Sequence, residues 1–172
     1  MKYSILFFFI LLFGIGCNSK KEVVAAEATP KTDTVVVMMK PTSPKDSLAV
    51  HFEKTPCFGR CPVFKIKVYQ SGFATYEGLN FAEKMGLYSY RFSQADLDKI
   101  YEMARNINYF ELNSEYNDPR VSDLPSTISE IKLNDHAHRV SARMGTPQKL
   151  KDFHENLGVM LNERDWKPYS LR

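Results

Sequence analysis

From Val63 to Tyr69, large apolar residues alternate with lysines: Phe64, Ile66 and Val68 point one way, Lys65 and Lys67 the other, and Gln70-Ser71-Gly72 cuts the run. A period of two commits the segment to a strand with one apolar and one charged face. Glycine suits the left-handed position of a three-residue hairpin loop with a bulge. Such a loop sets Tyr69 opposite Phe73 and Lys65 opposite Glu77, an attractive cross-strand pair, so Phe73 to Leu79 becomes the partner strand. An antiparallel hairpin with one greasy face has to find a cover for that face, which limits the fold to a few layered solutions.

The flanking sequence supplies the rest of the sheet and its cover. Leu48 to Lys54 and Leu87 to Phe92 read as strands, the latter with Tyr88, Tyr90 and Phe92 on one face. Ser93 is placed to cap a helix whose stripe is Leu97, Ile100, Tyr101, Ala104 and Ile107. Tyr109 to Ser126 is mostly loop, broken by Asn117-Asp118-Pro119 and Asp123-Leu124-Pro125. Thr127 to Leu133 and His136 to Met144 form a second hairpin around Asn134-Asp135. Thr146 as cap and Pro147 in the first turn open a last helix with the stripe Leu150, Phe153, Leu157 and Leu161, and Trp166 folds back from the tail. The expected fold is α+β: a mainly antiparallel sheet with two amphipathic helices packed on one face.

The N-terminus carries an address. Lys2 precedes the apolar run Ile5 to Ile15, which ends at Gly14-Ile15-Gly16-Cys17. The run is shorter than the roughly 20 residues of a spanning helix, and small residues before a cysteine suit a cleaved export signal. The stretch resembles the lipobox of bacterial lipoproteins, with Gly14 where leucine is usual, and implies lipid attachment at Cys17. Residues 1–17 are therefore expected to be signal and lipidation site, residues 18–46 a tether, and residues 47–172 one α+β domain. The tether is rich in Lys, Thr, Pro, Ser and Ala, with an apolar patch at Val35 to Met39. About 30 residues of this kind have a root-mean-square reach of roughly 30 Å.

Lipid on Cys17 leaves Cys57 and Cys61, the other two cysteines of three, as a pair. Two cysteines four apart in a turn reach disulfide geometry, and the envelope favours oxidation. The alternative is thiol-redox or copper chemistry, since Cys57-x-x-x-Cys61-Pro62 resembles the copper-binding motif of Sco-type assembly proteins. In those proteins a helix follows the cysteines, whereas here Pro62 leads straight into a strand.

Other candidates are thin. His136 and His138 share a strand face and His154 flanks a helical stripe, positions better suited to edge and core histidines than to a metal site. Asp118 and Asp123 precede or nearly precede prolines and read as turn residues. No nucleophile or phosphate-loop motif is present, and no cofactor is implied. Residues 51–172 hold 17 Lys and Arg against 16 Asp and Glu, a near balance that argues against general nucleic-acid binding. A local basic face is nevertheless expected opposite the apolar one, collecting Lys65, Lys67, Arg91, Lys132, Arg139 and Arg143 against Glu77 and Glu130.

Taken together, Cys57, Gly59, Cys61, Pro62 and Phe64, then Gly72, Tyr76 and Gly78, then Asp123 and Pro125, resemble a family of small bacterial envelope lipoproteins defined only as a domain of unknown function. The resemblance implies location and architecture over about residues 48–165 and assigns no activity. The expected role is a membrane-tethered periplasmic binding module, non-enzymatic, held by lipid on Cys17 with the outer membrane favoured. Its partner would be an envelope protein or an anionic ligand.

Overall fold

The computed structural model describes residues 46–170; Cys17 and the Val35 to Met39 patch lie outside the described residues. The chain runs β1 (Leu48–Lys54), β2 (Val63–Tyr69), β3 (Phe73–Asn80), β4 (Gly86–Arg91), α1 (Gln94–Asn106), a 3-10 turn (Tyr109–Glu111), β5 (Glu115–Tyr116), β6 (Thr127–Leu133), β7 (His136–Ala142), α2 (Gln148–Asn162) and β8 (Lys167–Pro168). Eight strands form one sheet in the order β5-β7-β6-β1-β2-β3-β4-β8. All neighbours are antiparallel except β5 and β7, so the fold is α+β with a mostly antiparallel sheet.

The opening hairpin forms as its pattern requires. Lys65 pairs with Glu77 and Val68 with Ala74, and Gly72 turns the chain at φ +80°. The amide of Phe92 donates to the carbonyl of Gly72 at 2.8 Å, so the chain entering α1 crosses where any Cβ on residue 72 would collide. Gly78 is constrained in the same way. A Cβ there would overlap the carbonyl of Lys84, which closes the β3–β4 connection over the strand.

Helix α1 starts as its sequence specifies. Ser93 is the N-cap, and its hydroxyl and amide exchange hydrogen bonds with Asp96 in a capping box. Helix α2 starts one residue later than expected: Pro147 itself is the N-cap residue, at φ −58° and ψ 147°, and no side chain caps the end. Proline fixes φ but not ψ, so Pro147 remains extended and Thr146 is left out of the cap.

One apolar cluster holds the molecule together. It includes Val50 and Phe52 of β1, Phe64, Ile66 and Val68 of β2, Ile100 and Ala104 of α1, and Leu150, Leu157 and Leu161 of α2. Gly158 lets α2 approach the sheet, since a Cβ there would stand 3.4 Å from the Phe52 ring. Trp166 does fold back: it is 5% exposed, its indole N–H donates to the carbonyl of Leu161, and it packs on Tyr76, Tyr90 and Phe92. Arg164 then lies over Phe92 and pairs with Asp96 at 3.0 Å, tying the tail to the start of α1.

Candidate functional site

Three groups of polar or reactive side chains stand out, and the fold gives each a different access to solvent. The first is the cysteine loop. Cys57 and Cys61 are disulfide-bonded, with Cα atoms 5.8 Å apart. The amide of Phe58 donates to the carbonyl of Asp123, and the amide of Gly59 to Cys57 Sγ. Arg60 lies 5.1 Å from the centroid of Phe81, which links the loop to the β3–β4 connection. Phe58, at the crown, is 95% exposed. Pro62 leads directly into β2, so no helix N-terminus is present to stabilise a thiolate. Residues following the disulfide are also structural: Phe64 stacks on Tyr76 at 5.5 Å.

Such a short loop removes little chain entropy when closed, so reduction is expected to cost about 2 kcal/mol or less. The Cys57→Ser/Cys61→Ser variant should therefore stay folded in a denaturant titration. A loss large enough to unfold the domain would contradict a local staple.

The second group is a buried relay. Tyr109 Oη lies 2.7 Å from Ser129 Oγ, which lies 2.9 Å from His154 Nε2. Tyr109 and Ser129 are fully buried and His154 nearly so. Burial pushes the Tyr109 hydroxyl far above its ordinary range. Burial, helped by the positive charge of Lys54, lowers His154 to about 4, so its imidazole is neutral. A serine bonded to a neutral imidazole has the chemistry of a nucleophile and base, but here the serine has no exposed surface to offer a substrate. The relay joins the 3-10 turn, β6 and α2. The sequence leads to a satisfied, partly buried imidazole at His154; it is satisfied and more deeply buried than that, while the relay's other two members carry no sequence signal, because nothing marks which serine of a strand faces which helix.

The remaining histidines take edge positions. His138 Nε2 contacts the carbonyl of Leu112 at 2.9 Å, and the exposed His136 packs on Phe110. Among the described residues, no group of three His, Cys, Asp or Glu side chains is placed to hold a metal. Asp118 makes a two-point contact with Arg120 within its turn.

The third group is the charged face of the sheet. Register places Lys65, Lys67, Arg91, Lys132 and Arg139 on one side. One row across the strands reads Arg139, Glu130, His51, Lys67, Thr75 and Ser89. The next reads Ser141, Ile128, Glu53, Lys65, Glu77 and Leu87. Charges of opposite sign therefore alternate, with Arg139–Glu130 at 3.5 Å and Lys65–Glu53 at 3.9 Å. Glu53 is an acidic member of this face that strand assignment by pattern missed, although its parity in β1 shows it once the strand is paired with β2. Lys67, Arg91 and Lys132 have no carboxylate within ion-pair distance among the described residues.

Arg143 leaves this group. β7 ends at Ala142, and the guanidinium turns away to bond Ser126 Oγ and the carbonyl of Val121, both at 3.1 Å. It lines a cleft of about 340 Å³ together with Lys54, Thr127, Lys151 and His154. The expected face of six cations is thus five on the sheet and one at its end.

No curated protein matches this chain. Residues 48–161, from the first residue of β1 to the last buried leucine of α2, match the family described as a domain of unknown function, DUF6438, and the chain belongs to that family.

Proposed function

We propose that this chain is a membrane-tethered envelope lipoprotein whose domain is a non-enzymatic module that binds an anionic partner. The observation that carries the reading is the cation surplus on the sheet face: Lys67, Arg91 and Lys132 stand there without matching carboxylates among the described residues. Both helices are taken to cover the opposite face. Phe52 and Ser129, neighbours on that face, meet His154 of α2, and the buried stripe of α1 joins the same apolar cluster as Ile66 and Val68. That leaves the charged side for contact. Among the described residues, the one serine bonded to a histidine is sealed, which supports binding over catalysis. Cys17 supplies the tether, through lipid added after cleavage of the signal.

Charge reversal tests the surface. The double variant Lys67→Glu/Lys132→Glu should lose the zero-length amine–carboxylate crosslinks that the full chain forms in intact envelopes at low salt. Wild-type crosslinks should themselves fall as salt rises, because exposed charges are screened beyond about 10 Å at 0.1 M. A crosslink pattern unchanged by the double variant would remove the sheet face from the reading. Cys17→Ser reports the tether independently, by moving the chain out of the membrane fraction.

A further inference from the structure

The cleft at the end of the sheet gathers positive charge from both layers. Lys54, the last residue of β1, is half-buried and points its ammonium at Thr127 Oγ1, 2.6 Å away. No carboxylate lies within 4.0 Å of it among the described residues. Lys151 enters from α2, and Arg143 from beyond β7. Glu155 is the one carboxylate among the lining residues, against these three cations.

The details favour an anion over solvent alone. A half-buried ammonium satisfied by one hydroxyl keeps two N–H donors for another acceptor. Ser126 and the Val121 carbonyl hold Arg143 by Nε and one terminal nitrogen, which orients the fork and leaves the other terminal nitrogen to bind. The start of α2 borders the cleft through Thr146 and Lys151, and that helix has neither a side-chain cap nor an acidic residue in its first turn. An anion beside such a helix start is favoured by the free amides and the dipole. Burial first, and the charge of Lys54 second, keep the His154 imidazole at the cleft wall neutral.

We propose that Lys54, Arg143 and Lys151 form a binding site for a phosphate-class anion, with the hydroxyl of Thr127 completing it. The volume of about 340 Å³ exceeds a bare phosphate and leaves room for an attached group. The same chemistry is offered by free phosphate and by a phospholipid headgroup. The inference rests on the binding-module reading but uses different residues from the sheet face.

The test is the thermal midpoint of the full chain in detergent micelles, compared in sodium phosphate and in sodium chloride at equal ionic strength and pH. A ligand that binds only the folded state raises stability with concentration, so phosphate should raise the midpoint progressively. Lys54→Met should abolish the rise while keeping a midpoint in chloride no lower than wild type, since it removes a half-buried charge and keeps the stem. Lys151→Gln, at an exposed position, should reduce the rise without touching the core. Reconstitution into phosphatidylcholine bilayers with and without phosphatidylglycerol separates the sources. A rise with phosphatidylglycerol that Lys54→Met removes assigns the headgroup, and a rise with inorganic phosphate alone assigns the free anion. Equal midpoints in phosphate and chloride, and in both bilayers, overturn the site, as does a phosphate response that both variants keep in full. Lys67→Glu/Lys132→Glu should leave the phosphate response intact, so failure of the cleft and failure of the sheet face give different results.

Discussion

Stability should fall by as much as about 3 kcal/mol as pH drops from 6.5 to 4, and His154 should account for the fall. Its imidazole titrates near 4 in the fold and at 6.5 in the unfolded chain, mainly because burial disfavours the charged form and secondarily because Lys54 repels it. A base with a depressed folded value stays neutral in the native state while the unfolded state takes up a proton. Between pH 4 and 6.5 the unfolded chain therefore binds more protons, and stability rises with pH across that window. The contribution is complete above pH 6.5. A shift of about 2.5 units at about 1.4 kcal/mol per unit gives the size. Denaturant titrations every half pH unit should show the slope in wild type, and His154→Gln should flatten it there. Asp96 acts in the same sense but in a lower window: its carboxyl is held down chiefly by the Ser93 hydroxyl, so its contribution is lost only as pH falls below the ordinary carboxylate range. A His154→Gln profile parallel to wild type between pH 4 and 6.5 would contradict the buried neutral imidazole.

Tyr109→Ala should be the more damaging substitution at neutral pH. The ring is fully buried, lies 5.2 Å from the Phe153 ring and 5.7 Å from that of His138, and its hydroxyl meets Ser129. Removing a buried aromatic typically costs about 3–5 kcal/mol, a large share of a small domain's stability. Tyr109→Phe separates the ring from the hydroxyl. Ser129 keeps its bond to His154 in that variant, so its cost should be about 1 kcal/mol, the usual net value of one hydrogen bond. Chemical unfolding of both variants reads the difference. Equal losses would mean that the relay, and not the packing, holds the 3-10 turn to α2.

These two effects show what could be read from the sequence and what could not. The β2–β3 hairpin was legible to the residue pair, because the alternation from Phe64 to Val68 and the turn at Gly72 act locally. The capping box at Ser93 is local in the same sense. β5 and β8 leave no mark in the sequence because two residues carry no period, and each is defined by a partner strand brought from elsewhere. Tyr109, Ser129 and His154 are 20 and 25 residues apart and meet only once the layers are assembled. The charged face was legible by parity for five cations. Arg143 followed the same parity, but its strand ends one residue earlier, and a loop carbonyl and a serine hydroxyl captured it. Lys54 was invisible as a binding residue because its importance comes from what is missing around it.

Most residues that mark the family-like opening turn out to shape one end of the sheet. The disulfide fixes the loop, Phe64 stacks on Tyr76, Gly78 admits the Lys84 carbonyl, and Asp123 receives the amide of Phe58. Phosphate-class binding, by contrast, is proposed on residues outside that set, and the sheet-face cations also stand apart from it. A scaffold held by one group of residues can carry a recognition surface made from another.

Site-directed photocrosslinking tests the binding-module account most directly. A photoreactive residue at Thr75, in the cross-strand row with Lys67 and His51, should give a discrete adduct in living cells. The same residue at Glu102, on the exposed side of α1, should not. Adduct at Thr75 that falls when Lys67 is changed to glutamate is the predicted result. Equal adducts at both positions, or none at Thr75, would contradict binding through the sheet face.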